Sequence, residues 1–124
     1  SSTPQEQAYC DSAASAQPFL FCLADRKHER ARRELAAALA GARRAALAQR
    51  REIARFRRDH GSVTLEGDPL RSLERSQAAW ERSFRADCLL VGLSVATGGN
   101  GTAGVTTNRA CEADRILDRA RFLE

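Results

Sequence analysis

The sequence predicts an all-α protein, a long antiparallel helical hairpin plus short N-terminal and C-terminal helices, braced by two disulfides. Three observations carry that expectation. Apolar residues recur at steps of three, four and seven along two long stretches, the pattern of helices with one buried stripe. Helix start and stop signals stand at the ends of those stretches. Four cysteines, with no C-x-x-C pair among them, supply an even number for crosslinks.

Taken in order, Thr3-Pro4-Gln5-Glu6 has the form of a capping box with proline at the first helical position, which starts a short helix over about 4–14. The chain turns near Ser15 to Pro18. A long helix follows over about 18–60, where Leu35, Leu39, Ala42, Ala46, Gln49, Ile53 and Phe56 make a heptad-like seam. Such a helix would be roughly 60 Å long, more than its partner can cover, so it must overhang, bend or break, with Gly41 the weakest point. His60-Gly61 reads as its stop. After a loop, Asp68-Pro69 restarts the helix over about 69–94, with Leu70, Leu73, Gln77, Trp80, Phe84 and Val91 on one stripe and the bulk concentrated in Trp80 and Phe84. Residues 97–104, T-G-G-N-G-T-A-G, carry no helical period and read as a glycine-rich loop. Asn108 then caps a last helix over about 109–123 that buries Ala113, Ile116, Leu117, Ala120 and Leu123.

With 124 residues the chain is expected to be a single domain, 1–124. Alanine makes up nearly half of its apolar residues, and only 26 large apolar side chains remain to build a core. Close helix approach over alanine and covalent bracing must compensate. Cys10 and Cys22 stand twelve residues apart across the first turn, so their bond would close a short ring and restrict the unfolded chain by about 3 kcal/mol. Cys88 and Cys111 flank the glycine loop, and a bond between them would fasten its two sides. Four cysteines allow two other pairings, and this one is the expectation. Disulfides imply an oxidising compartment, so a periplasmic or secreted location is expected. No signal peptide is visible, and the polar start S-S-T-P-Q-E reads as the end left by cleavage or trimming.

Of the 20 basic residues 19 are arginine. Doublets at Arg43/Arg44, Arg50/Arg51 and Arg57/Arg58 repeat every seven residues beside the seam of the long helix. From Arg26 to Arg58 there are 12 basic and three acidic residues, a net of +9 against +4 for the chain, which leaves −5 on the remainder. The doublets form either a solvated face or a surface for an anionic partner such as an envelope polymer or lipid. Nucleic acid is not expected, because the aromatics of a stacking surface are missing.

Catalytic patterns are absent from the sequence. The two histidines lie on the arginine-rich helix, the cysteines are assigned to bonds, and Glu74 and Glu81 sit among arginines as surface charge. No enzyme, cofactor or metal is expected. The order Leu73-x3-Gln77-x2-Trp80-x3-Phe84-Arg85-x2-Cys88, a Gly-Gly loop, Cys111 and Leu117-x-Arg119-x3-Leu123 resembles the LprI-type lysozyme-inhibitor domain, a family long catalogued as of unknown function. Cys10, Cys22 and the Ala/Leu/Arg helix fit as well, so the resemblance spans about Cys10 to Leu123. The glycine segment departs from the Gly-Gly-Ser of that pattern, and the long helix is richer in arginine.

The resemblance implies a non-enzymatic envelope or secreted protein that inhibits a lysozyme-like cell-wall hydrolase. An immunity protein against a secreted cell-wall toxin is the near alternative, and an envelope protein binding anionic polymer or lipid through its arginines is the other. Gly98, Gly99, Asn100, Gly101 and Thr102 are the expected contact with a protein partner, because glycine backbone approaches another surface closely. Gln77, Trp80, Phe84, Arg85 and Arg119 are expected to serve structure. Pairing with a second copy through the seam of the long helix stays open.

Overall fold

The computed structural model describes residues 1–61, 65, 67–95 and 102–124, and among them it contains four helices and no strand. Helix α1 spans Pro4–Asp11, α2 Phe19–His60, α3 Pro69–Val95 and α4 Thr102–Leu123.

The capping box of α1 is complete, with Glu6 N donating to Thr3 Oγ1 at 3.2 Å and Thr3 N donating to Glu6 Oε1 at 2.9 Å. The helix stops at Asp11, three residues before its expected end. Ser12 turns extended, and both its hydroxyl and its amide donate to the Tyr9 carbonyl, so the serine competes with the helical ladder. Cys10 bonds to Cys22 and fastens α1 to the start of α2.

Helix α2 runs unbroken for 42 residues through Gly41, about 63 Å at the standard rise. Its buried residues are Cys22, Ala24, His28, Ala31, Leu35, Ala38 and Ala46. The seam therefore begins earlier than expected and ends earlier too. Gln49 is exposed, Ile53 is half-buried, and Phe56 is 48% exposed and packs on the His60 ring at 4.6 Å. The last three turns overhang. Gly61 ends the helix at φ +82°, a conformation that favours glycine, and donates its amide to the Arg57 carbonyl.

Asp68 starts α3 by accepting from the Leu70 amide at 3.2 Å. The buried face of α3 is Gln77, Phe84, Cys88 and Gly92, with Leu73 and Trp80 half-buried. Val91, expected on this stripe, is exposed, and Gly92 takes the seam position.

Helix α4 differs most from expectation. It begins at Thr102, seven residues early, so Asn108 lies inside a helix and caps nothing. The segment T-A-G-V-T-T-N holds β-branched residues and a glycine, poor helix formers that hide the helix from sequence reading. Packing holds it: Gly104 is buried against Gly92 of α3, and Cys88 bonds to Cys111.

The α2–α3 pair was expected to be the centre of the molecule, but α4 is the helix that touches both neighbours most extensively. It runs parallel to α2 and antiparallel to α3. Polar contacts mark the register: the salt bridges Asp25–Arg109 and Lys27–Asp114 and the hydrogen-bonded pair His28–Glu112 between α2 and α4, and the salt bridge Asp87–Arg115 between α3 and α4. The core gathers Ala31, Leu35 and Ala38 of α2, Phe84 and Cys88 of α3, and Ile116, Leu117 and Ala120 of α4. Alanine at these crossings lets the helices approach closely, as the thin supply of large side chains demands.

Candidate functional site

Three surfaces stand out once the helices are placed. The first is an uncharged end. Between Asp87 and Arg109 the sequence has no ionisable side chain other than Cys88, which is bonded. Leu89, Leu90, Val91, Leu93 and Val95 on α3 and Val105 on α4 are exposed. Phe19 and Leu20 add to this end from the start of α2, where a hollow of about 590 Å³ lies between Pro18–Phe21 and Thr102, Ala103, Thr106 and Thr107. Gly98, Gly99, Asn100 and Gly101 lie outside the described residues. Thr102 is exposed in the first turn of α4, whereas Gly104, the last residue of the expected loop, is buried in that helix.

The second surface is the arginine ladder. Arg50 donates to both carboxylate oxygens of Asp68, at 3.0 and 2.6 Å. That paired guanidinium holds the Asp68 carboxyl below its ordinary range, and the carboxylate in turn raises Arg50. Arg43, Arg44, Arg51, Arg57 and Arg58 make no ion pair among the described residues. Asp114 and Glu112 of α4 meet Lys27 and His28 near the other end of α2, where Asp25 of α2 in turn meets Arg109 of α4. Net positive charge thus remains on the second half of α2, although Arg50 and Arg55 are paired.

The third is a half-open groove of about 540 Å³ where α2 and α3 diverge above α4. Leu35, Phe84 and Ile116 form its floor, and Trp80, stacked on Phe84 at 4.3 Å, borders it. Trp80, expected on one stripe with Phe84, is half-buried and packs against the core while also bordering the groove. Arg32, Glu81, Arg85 and Asn108 supply polar walls. His28 Nε2 meets Glu112 Oε1 at 3.0 Å at one end.

Behind Trp80 lies a buried polar knot. Arg119 Nε donates to Gln77 Oε1 at 3.0 Å and its Nη2 to Ser76 Oγ at 2.9 Å. The guanidinium also sits 5.5 Å from the Trp80 ring and 5.1 Å from the Phe122 ring. Burial lowers the Arg119 pKa. Thus Arg119 of α4 meets Gln77 and Trp80 of α3, 42 residues from Gln77 along the chain, with Phe84 stacked on Trp80, while Arg85 lines the groove instead.

This joining of the Gln-x2-Trp helix to Arg119, with disulfides 10–22 and 88–111, coincides with a family match: the model described as "Lysozyme inhibitor LprI" covers residues 10–123. The chain belongs to the LprI family. No curated protein and no solved structure matches it. The family description names a lysozyme as the target, so the partner class of this LprI domain is a protein. Its disulfides are compatible with an extracytoplasmic location.

Among the described residues no helix of this LprI chain is long and apolar enough to cross a membrane, and no group of three His, Cys, Asp or Glu side chains is placed to hold a metal. Sequence reasoning missed the groove and the His28–Glu112 pair, since both depend on the parallel register of α2 and α4, which leaves no local signal. The exposed leucines of the uncharged end were missed too, with Val91 placed on the buried stripe, although C-L-L-V-G-L-S-V is too apolar all round for one such stripe.

Proposed function

We propose that this LprI chain is a non-enzymatic binding protein that works outside the cytoplasm and inhibits a lysozyme-like cell-wall hydrolase, entering its cleft with the uncharged end. The observation that carries this reading is the separation of charge along α2. Lysozymes are generally cationic, and a +4 inhibitor with an arginine ladder would be expected to repel them. Arg50 lies 31 residues from Phe19 on one continuous helix, about 46 Å away at the standard rise. That is several screening lengths at physiological salt, about 8 Å each, so the ladder does not oppose docking at the other end. Leu89, Leu90, Leu93 and Val95 of α3 and Val105 of α4 offer apolar contact, and the Cys88–Cys111 bond holds the two helices together beside them, which lowers the cost of binding.

The test is hydrolase-driven lysis of a cell-wall suspension, with the oxidised protein at low and physiological salt. Dose-dependent inhibition at both salts, lost in Leu90→Asp/Leu93→Asp and kept when Arg43, Arg44, Arg51 and Arg58 become Gln, is the expected result. Leu90 and Leu93 are 68% and 58% exposed, so these changes leave helicity intact. Absence of inhibition by the parent protein against cationic and acidic hydrolases alike overturns the reading.

A second reading is favoured by the unpaired arginines of the ladder: the overhang of α2 binds an anionic envelope polymer. Affinity for such a polymer would fall steeply with salt and would be lost in the four-arginine variant. An immunity protein against a cell-wall toxin would use the same uncharged end, with a toxin in place of the lysozyme.

A further inference from the structure

We infer that the groove between α2 and α3 is a separate binding site for an uncharged oligosaccharide, the chemical class of a glycan strand. The proposal goes beyond hydrolase inhibition, because it gives the chain a direct contact with a polymer that such an enzyme cuts.

The composition of the groove selects the ligand. Its volume of about 540 Å³ falls in the range of small-molecule sites, roughly 300–1,000 Å³. Arg32 from α2 and Arg85 from α3 present hydrogen-bond donors, Glu81 from α3 presents an acceptor, and Asn108 from α4 offers both. Arg32, Glu81 and Arg85 make no ion pair among the described residues, so their hydrogen-bonding capacity is not consumed within the protein.

Charge decides between ligand classes. The two arginines are matched by Glu81 and Glu112, so the groove is close to neutral and gives neither an anion nor a cation a net attraction. An apolar ligand would strip water from those groups without replacing its hydrogen bonds, at a cost of several kcal/mol per charged group. A polyhydroxylated, uncharged ligand satisfies donors and acceptors together. Its C–H groups also need an apolar surface, and Leu35, Trp80, Phe84 and Ile116 provide one.

Built into the site is a reporter, since Trp80 is the only tryptophan in the chain. Titration of the oxidised protein with a tetramer of N-acetylglucosamine, without any hydrolase, should give a saturable change in tryptophan fluorescence, confirmed by calorimetry. Arg85→Gln and Glu81→Gln should each weaken binding by about tenfold, the equivalent of about 1.4 kcal/mol, while Arg58→Gln on the overhang has no effect. All three side chains are exposed, so the variants keep the fold, which circular dichroism verifies. Affinity should change less than about twofold between low and high salt, as an uncharged ligand requires. No saturable signal by either method, equal binding by the groove variants, or a steep salt dependence overturns the proposal. Because no hydrolase is present, these outcomes are independent of whether the protein inhibits one.

Discussion

Gly92 of α3 lies directly against Gly104 of α4: a methyl group on Gly92 would fall 2.8 Å from the Gly104 carbonyl oxygen and 2.9 Å from Cβ of Asn108. The first neighbour is backbone and cannot rotate away. Gly92→Ala must push α3 and α4 apart, and overpacking of this kind costs about 1–3 kcal/mol against a gain in helix propensity of about 1 kcal/mol. A fall of several degrees in melting temperature is expected, measured by circular dichroism with both disulfides formed. An unchanged or higher melting temperature would mean that the two helices part freely.

Glu6 joins the cap of α1 to Arg30 of α2, whose Nε donates to its Oε2 at 3.0 Å. Burial pushes the Glu6 carboxyl upward, but the Arg30 guanidinium and the Thr3 amide together outweigh it, so the pKa lies below its ordinary value of 4.5. Ionised Glu6 is therefore favoured by folding. Its contribution is present above pH 4.5 and lost as pH falls through the lowered value. Glu6→Gln should melt below the parent at pH 7, by an amount on the order of 1 kcal/mol, and the gap should close in acid. A gap that stays constant from pH 7 to pH 2 would contradict this origin.

Gln77 is the acceptor for Arg119 Nε, and its own amide nitrogen is buried with no partner among the described residues. Gln77→Leu leaves a buried guanidinium N–H unmatched and should cost about 1.5–3 kcal/mol. Gln77→Glu keeps the acceptor, removes the unmatched donor and sets a carboxylate beside a buried cation. Its stability should exceed that of the leucine variant by at least the same margin at pH 7, and fall toward it in acid. Chemical denaturation of the two variants at pH 7 and pH 3 makes the comparison.

The ladder makes a prediction about stability as well. Replacing Arg43, Arg44, Arg51 and Arg58 with Gln removes charges that have no ion-pair partner among the described residues, so stability should change by no more than about 0.5 kcal/mol per site. Arg50→Gln differs because it releases Asp68 at the start of α3. Adding salt should raise the melting temperature of the parent more than that of the four-arginine variant, which differential scanning calorimetry can follow.

Features written in neighbouring residues were legible. Thr3, Pro4 and Glu6 announce the first cap, Gly61 the end of α2, and Asp68-Pro69 the start of α3, because each depends on backbone groups within one turn. Spacing favoured Cys10–Cys22 and Cys88–Cys111 without excluding the other two pairings, and both bonds are present. The early start of α4 was not legible, because Thr102 to Asn108 is helical only through contact with Gly92 and the nearby crosslink. Nor was the groove. Its walls come from His28 and Arg32, from Glu81 and Arg85, and from Asn108 and Glu112, on three helices whose mutual register no local pattern encodes.

The placement of the two crosslinks has a topological consequence. Cys10–Cys22 closes wholly before the α2–α3 turn, and Cys88–Cys111 wholly after it. One peptide cleavage between Gly61 and Asp68 would convert the protein into two separate molecules, a helical arm carrying α1 and α2 and a stapled hairpin carrying α3 and α4. Only the alanine-rich core and the salt bridges from α2 to α4 and Asp68 would hold them together. The intact chain folds as a unimolecular object, while the nicked one would be a heterodimer whose persistence depends on dilution.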